Sequence, residues 1–208
     1  MENHWLSIEK EGERIILKKC SPEAEGLIII PEGVTDIADN AFEGCQKITN
    51  VCIPNGVETI GICAFQFCGI TSIHIPASVK TILQHPKFKD GFAPFPFYGN
   101  PNYISITVDK DNPIYDSRDN CNAIIETATN RLITASSKTV IPKSVKIIGN
   151  GSFFLTGHKT IEIPDGVEAI ESFAFYYCKS LSMVTIPKSV TFIGENAFDE
   201  NETVIKSV

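Results

Sequence analysis

The residues of this chain whose types could do chemistry are its cysteines and histidines. Seven cysteines stand at positions 20, 45, 52, 63, 68, 121 and 178, and four histidines stand at 4, 74, 85 and 158. No C-x-x-C pair occurs, so the spacing of a structural zinc site is absent, and we expect neither a metal nor another cofactor. Cys52 and His74 could approach each other, but the sequence supplies no third member and no oxyanion hole for nucleophilic catalysis. We therefore expect no enzymatic activity.

An acidic segment, DKDNPIYDSRDN at 109–120, admits two interpretations. Its carboxylate and amide oxygens at short spacing could hold calcium. However, it lacks the glycine and the final glutamate of an EF-hand loop, and Pro113 interrupts it. Asp and Asn also favour turns in which they bond their own backbone, and we prefer this second interpretation.

Composition and charge exclude several classes of function. The formal net charge of −7 argues against a nucleic-acid partner, which needs a clustered positive surface. No apolar run approaches the roughly 18–20 residues that span a bilayer. The glutamate-rich N-terminus does not resemble a secretory signal. We expect a cytoplasmic protein if Met1 is native, and a surface or secreted protein if a signal was removed.

The chain is a repeat, and the dipeptide Ile-Pro marks each copy. The prolines of these dipeptides are Pro31, Pro54, Pro76, Pro142, Pro164 and Pro187, spaced 22 or 23 residues apart outside the middle of the chain. Valine follows each proline by three residues, isoleucine by six, and phenylalanine by eleven in five of the six copies. We interpret Cys45, Cys68 and Cys178, which share one repeat position, as a ladder of small buried side chains rather than a redox site.

Two insertions interrupt the repeat. The first, near 83–96, adds 10 residues and delays the expected phenylalanine to Phe97, with Tyr103 in the next apolar position and 106–108 in the next strand. The second, near 109–137, carries Ala123, Ile124 and Ile125 before a polar turn and Arg131, Leu132 and Ile133 after it. It predicts a β-hairpin growing out of the fourth coil. We expect one solenoid domain over 1–208, with seven coils in 27–208 and an N-terminal segment over 1–26.

Each copy begins with a period-two apolar pattern, which is typical of a half-buried strand. Stacked coils bury one set of these side chains. That inward set is Ile28, Ile30, Val51, Ile53, Ile73, Ile75, Ile106, Val108, Ile141, Ile161, Ile163, Val184 and Ile186. The outward set is the candidate binding surface and consists of Ile29, Cys52, His74, Thr107, Val140, Glu162 and Thr185. We expect the following V-x-x-I piece to turn the chain and the A-F piece to form a 3₁₀ or single helical turn.

Further binding candidates lie in the first insertion and at the chain ends. Phe88, Phe92, Phe95 and Tyr98 form an aromatic loop that either contacts a partner or packs as a local cluster. Residues 5–8 and 14–17 predict a hairpin that caps the first coil. At the other end, Val204, Ile205 and Val208 predict a last strand with an open edge, through which a homo-oligomer could form.

The consensus IPxxVxxIGxxAFxxCxxLxxIxIP resembles the BspA-like leucine-rich repeat family over roughly residues 27–208. VETIGICAFQFCGITSIHIP and VTFIGENAF carry the resemblance most clearly. It implies a mainly β, right-handed solenoid without catalytic residues that binds proteins, often in adhesion to host or matrix proteins. We expect a non-catalytic protein-binding module, in cell-surface adhesion or host-protein interaction. The alternative is an intracellular scaffold or a self-associating structural protein.

Overall fold

The computed structural model describes residues 4–85, 93, 96–100, 103–198 and 204–207. Within these residues the chain forms short strands and one 3₁₀ turn, Arg118–Asn120. The strands are β1 (Leu6–Glu11), β2 (Arg14–Cys20), β3 (Gly26–Ile29), β4 (Asp36–Ile37), β5 (Ile48–Cys52), β6 (Thr59–Ile60), β7 (Ser72–Ile75), β8 (Thr81–Ile82), β9 (Ser105–Val108), β10 (Tyr115–Asp116), β11 (Ala123–Glu126), β12 (Arg131–Ala135), β13 (Ile147–Ile148), β14 (Thr160–Glu162), β15 (Ala169–Ile170), β16 (Met183–Ile186), β17 (Phe192–Ile193) and β18 (Val204–Ser207). The predicted mainly β solenoid of about seven coils is confirmed.

The period-two segments form one face of the solenoid, the front sheet. β3, β5, β7 and β9 pair in parallel, and β14, β16 and β18 pair in the same way. The register places Val51 beside Ile28 and Ile73, so equivalent residues of successive coils stack on each other. Every side chain predicted to point inward is buried.

The V-x-x-I segments do more than turn the chain, and here the sequence-based expectation is incomplete. Their residues form a second set of parallel strands, the back sheet, which contains β4, β6 and β8 in the first half and β13, β15 and β17 in the second. Ile37, Ile60 and Ile82 align across the first three of these strands. Buried backbone N–H and C=O groups need partners, and in a stacked coil the nearest partners lie in the next coil.

The A-F segments form the turns between the two sheets. Phe42, Phe65 and Phe97 stack with ring centroids 4.9 and 5.3 Å apart, so Phe97 occupies the position predicted for it. Phe153 and Phe175 continue the pattern at 4.8 Å. These stacked rings fill the interior of the solenoid edge that the A-F turns form, which we call the turn edge.

The N-terminal hairpin is present as predicted. β1 and β2 are antiparallel, and β2 then pairs in parallel with β4, placing Leu17 beside Ile37. The hairpin therefore caps the solenoid by extending the back sheet. Most of β1 is exposed and polar, which suits a terminal element.

The second insertion also forms the predicted hairpin, β11–β12, but this hairpin does not grow outward from the coil. β12 pairs in parallel with β13, so the hairpin is part of the back sheet. Ile124 and Ile133 join the buried cluster of the first coils, whereas Ile125 and Leu132 join that of the last coils. The hairpin thus lies between the two halves of the core and contributes to both.

Candidate functional site

The residues predicted to face outward along the front of the solenoid, which we call the sheet row, are Ile29, Cys52, His74, Thr107, Val140, Glu162 and Thr185. Val140 lies in no strand, so the fifth coil departs from the prediction that each copy begins with a strand. All except the half-buried Thr185 are exposed, as predicted. Strand register places Ile29 beside Cys52, His74 beside Thr107, and Glu162 beside Thr185. Ile29 and Val140 are 59% and 74% exposed, so the row includes apolar side chains held in water.

A shallow depression of about 330 Å³ lies on β5, β7 and β9 within the sheet row. Cys52, His74 and Thr107 line it together with the serines Ser72 and Ser105. Its walls offer hydroxyl, thiol and imidazole groups, and strand pairing fixes the backbone beneath them. The depression can therefore accept a small polar side chain of a partner without rearranging.

His74 does not activate Cys52. His74 Nδ1 lies 3.0 Å from Thr107 Oγ1, and His74 Nε2 lies 3.9 Å from Asp109 Oδ2, so both ring nitrogens are directed towards the fourth coil. A nucleophilic cysteine needs a base within hydrogen-bond reach. The arrangement suits hydrogen bonding to a partner better than thiol chemistry.

The structure describes only part of the predicted aromatic loop. Phe88, Phe92 and Phe95 lie outside the described residues. Tyr98 is half-buried, and burial raises the pKa of its phenol to about 12. Its ring centroid lies 5.4 Å from that of Phe67, so Tyr98 belongs to a cluster of aromatic side chains on the turn edge.

The acidic segment at 109–120 is organised by its own hydrogen bonds. Asn112 is buried and donates to the carbonyl oxygens of Pro76 and Val79. Burial acts to raise the pKa of Asp116, but hydrogen bonds from Arg118 and Thr127 outweigh burial. The pKa of Asp116 therefore lies below its ordinary value. In the part of the chain that the structure describes, no three His, Cys, Asp or Glu side chains group as metal ligands. Asp109 Oδ1 accepts the backbone N–H of Asp111, and Asn112 Oδ1 accepts that of Ile114, which are the bonds that the turn interpretation predicts.

Six of the seven cysteines are buried, and Cys52 alone is exposed. Cys45, Cys68 and Cys178 form part of the buried core, which agrees with the predicted ladder of small side chains. Burial raises the pKa of the Cys68 thiol to about 12. Thiols of this kind are poorly ionised at neutral pH.

Sequence reasoning missed a cleft of about 500 Å³ beside the back sheet. Its lining includes Arg131, Asn150, Glu171 and Phe192. Arg131 binds Glu171 through two hydrogen bonds of 3.1 and 2.5 Å, and Glu171 also accepts the Asn150 backbone N–H. The paired charges largely neutralise each other. Arg131 and Glu171 lie 40 residues apart in the sequence, and no sequence pattern links them.

Comparison with known proteins identifies the repeat. The family model described as BspA type leucine rich repeat region matches in six copies, over residues 19–89 and 130–207. A leucine rich cell surface protein from Faecalibacterium prausnitzii is 29% identical, with a TM-score of 0.60, over 90% of this chain and 42% of that one. The chain thus spans less than half the length of that protein.

A leucine-rich repeat protein from Eubacterium ventriosum is 19% identical, with a TM-score of 0.56, over 95% of this chain and 68% of that one. This second similarity concerns the fold alone. Comparison with proteins of curated function gives no match. Among the described residues, no helix has the length and apolar character needed to cross a membrane.

Proposed function

The chain belongs to the BspA-type leucine-rich repeat family, and on this premise we propose that it is a non-catalytic module that binds a protein partner through the sheet row. The observation that carries the proposal is the exposure of aligned side chains on one rigid face. Ile29 and Val140 hold 59% and 74% of their surface in water, although folding gains nothing from their exposure.

The physical reason is the low cost of binding to a preformed surface. Parallel pairing fixes the backbone of the front sheet through the first four coils, from β3 to β9. A partner that binds there loses conformational freedom, but this chain loses little because its surface is already ordered. More of the contact free energy therefore contributes to affinity. The mixture of apolar, hydroxyl and charged side chains along the row is typical of protein interfaces.

The proposed setting is the cell surface, with adhesion to host or matrix proteins as the biological role. Support comes from the Faecalibacterium prausnitzii neighbour, which is described as a cell surface protein. The absence of catalysis is part of the same proposal. It is supported by the geometry of His74, whose ring nitrogens face Thr107 and Asp109 instead of the Cys52 thiol.

Binding to purified matrix proteins tests the proposal, with each protein immobilised beside serum albumin as the reference surface. The wild-type chain should bind at least one matrix protein and not albumin. The double variant Ile29→Glu, Val140→Glu should lose about tenfold or more in affinity, because an unpaired charge at a desolvated interface costs at least about 1.4 kcal/mol. Its Tm should stay unchanged, because both side chains are already exposed.

Leu83→Glu is the matched control. Leu83 is 38% exposed and follows β8 in the back sheet, so this variant adds one negative charge away from the sheet row, whereas the double variant adds two within it. It should bind as the wild type does. Equal binding by the double variant would place the interface elsewhere, and equal binding to albumin would contradict a specific module.

Self-association is a second candidate function, favoured by one observation at the C-terminal end. Ile193 is 49% exposed, whereas Ile37, Ile60 and Ile170, which occupy the same repeat position, are no more than 1% exposed. The predicted last strand exists as β18 and pairs with β16 at the edge of its sheet. An exposed core position beside an edge strand is suited to pairing with a second copy of the chain.

A further inference from the structure

Each described coil with an A-F turn places a residue in the left-handed conformation two positions after the core phenylalanine. The described members of this set have positive φ angles and are Gly44 at 73°, Phe67 at 49°, Gly99 at 75°, Leu155 at 59° and Tyr177 at 56°. Glycine adopts this conformation readily, whereas a bulky L side chain is strained in it. Three coils therefore carry a bulky side chain where glycine would suit the backbone better.

These bulky side chains recover little of that strain by burial. Phe67 and Tyr177 are 44% and 42% exposed. Such a side chain lowers the stability of the fold through its strained backbone, and its exposed apolar surface contributes no stabilisation by burial. Strain that persists at an exposed position indicates a use other than folding.

Two exposed and two half-buried rings follow one another along the turn edge and form what we call the aromatic strip: Phe67, Tyr98, Phe154 and Tyr177. Successive ring centroids lie 5.4, 5.5 and 5.7 Å apart. Tyr98 belongs to the third coil and Phe154 to the fifth. They meet because the fourth coil enters the hairpin β11–β12 instead of forming an A-F turn.

The Phe67 ring packs against Gly99 at one end of the aromatic strip. It lies over Gly99, where a Cβ atom would come within 2.4 Å of the ring. Gly99 therefore serves both the positive φ of its own turn and the placement of Phe67. Phe67 nevertheless keeps 44% of its surface exposed.

The surroundings of this end are acidic. Glu43 accepts a hydrogen bond from Gln66, the residue before Phe67. Burial and the charges of Glu43 and Asp39 together raise the pKa of the Cys63 thiol, which hydrogen bonds to Tyr98, to about 11. The field around the Phe67 ring thus favours positive charge.

The other end of the aromatic strip shows that its rings accept cations. Lys179 Nζ lies 5.9 Å from the centroid of the Tyr177 ring. An ammonium or guanidinium group over an aromatic face is attracted by the ring quadrupole. Lys179 meets this preference at the Tyr177 ring, whereas the Phe67 ring is 44% exposed and, among the described residues, lies near acidic groups.

We propose that the Phe67 end of the aromatic strip binds an arginine side chain presented by an extended segment of a partner protein. The guanidinium group stacks on the exposed part of the Phe67 ring and is attracted by Glu43. This surface lies on the turn edge and shares no residue with the sheet row, so the two proposals stand or fall separately.

The probe is an acetylated, amidated peptide of four Arg-Gly repeats, and its control is the same peptide with citrulline in place of arginine. Citrulline keeps the planar shape and removes the charge. The wild-type chain should bind the arginine peptide and bind the citrulline peptide at least about fivefold more weakly. Resonance shifts in titrations followed by NMR should centre on the amides of residues 63–68 and 97–99.

Phe67→Gly separates binding from stability. Glycine relieves the positive-φ strain at this position and thereby offsets part of the packing lost with the ring, so the variant should remain folded with a Tm close to that of the wild type. Its affinity for the arginine peptide should nevertheless fall at least about fivefold, and Glu43→Gln should also weaken it. Val140→Glu, in the sheet row, should leave this affinity unchanged or slightly raised by its added negative charge.

Three results would overturn the proposal. Unchanged affinity of Phe67→Gly would show that the peptide is held by the net negative charge of the chain and not by the ring. Equal binding of the citrulline peptide would show an apolar surface without preference for a cation. A wild-type chain that binds neither peptide at millimolar concentration would remove the surface altogether.

Discussion

At the scale of single residues, one of the seven thiols of the chain is exposed to solvent and six are buried. Cys52 projects from the front sheet into solvent, while the other six lie in the interior. Burial raises the pKa of both Cys63 and Cys121 to about 11. Since the thiolate is the reactive form, burial suppresses both access to these thiols and their ionisation.

We therefore expect one fast thiol in the native protein. With excess N-ethylmaleimide at neutral pH, intact-mass spectrometry should show a single adduct, and Cys52→Ser should abolish it. Cys63→Ser should retain it, because Cys63 is buried and contributes no fast reaction. A second adduct at the same rate, or labelling that survives in Cys52→Ser, would contradict the assignment of the exposed thiol.

At the scale of elements, one ion pair joins the N-terminal hairpin to the first coil. Arg14, at the start of β2, donates to both carboxylate oxygens of Asp36 in β4, at 3.0 and 2.6 Å. Asp36 is only 6% exposed and also accepts a hydrogen bond from Thr35. The hydrogen bonds from Arg14 hold the pKa of Asp36 below its ordinary value of 3.8.

Asp36→Asn should destabilise the protein in a pH-dependent way. A carboxyl group whose pKa is lowered by folding stabilises the fold above its unfolded pKa, and this stabilisation is lost as the pH falls through the folded value. The Tm of the variant should thus lie below that of the wild type at pH 7, and the gap should close below pH 3.8. Calorimetry over this range measures it.

Glu58→Gln provides the control for the same carboxylate-to-amide change at an exposed pair. Glu58 binds Lys80 at 2.7 Å, and the two side chains are 54% and 60% exposed. Exposed pairs of this kind contribute little, so its Tm should follow that of the wild type at every pH. A gap for Asp36→Asn that is constant with pH would show that shape, and not charge, is lost.

Most of the elements could be predicted because the repeat supplies many examples of each. Copies in register identify the strands of the front sheet, their inward residues and the delayed Phe97. The back sheet was missed because its strands β4, β6 and β8 contain two residues each, too few for any periodicity. Such strands exist only because the next coil supplies their hydrogen-bond partners.

Two features could have been read from the sequence more fully. Residues 123–125 and 132–133 are apolar on both sides of their strands, which is typical of strands buried on both faces. That pattern predicts a hairpin inside the core. The aromatic strip is signalled by Phe67, Leu155 and Tyr177, which replace the glycine found at Gly44 and Gly99.

At the scale of the whole molecule, the two ends of the solenoid differ. The N-terminal end is closed by β1, whose Ser7, Glu9 and Glu11 face solvent. The C-terminal end carries the edge strands β17 and β18, and its Phe192 and Ile193 are 55% and 49% exposed. Stacked coils are stable because each covers the apolar face of the one before, and among the described residues the last coil keeps apolar side chains of the back sheet exposed.

If that face pairs with a second copy, the isolated chain should be dimeric in light scattering coupled to gel filtration, with about twice the monomer mass of 22.8 kDa. Ile193→Glu should give monomers, because it places an unpaired charge in the contact. Val140→Glu should remain dimeric, because its position lies in the sheet row. Monomeric wild-type protein at 200 μM would refute self-association at any site. A dimer that only Val140→Glu dissociates would assign the contact to the front sheet and would leave the C-terminal end free for another partner.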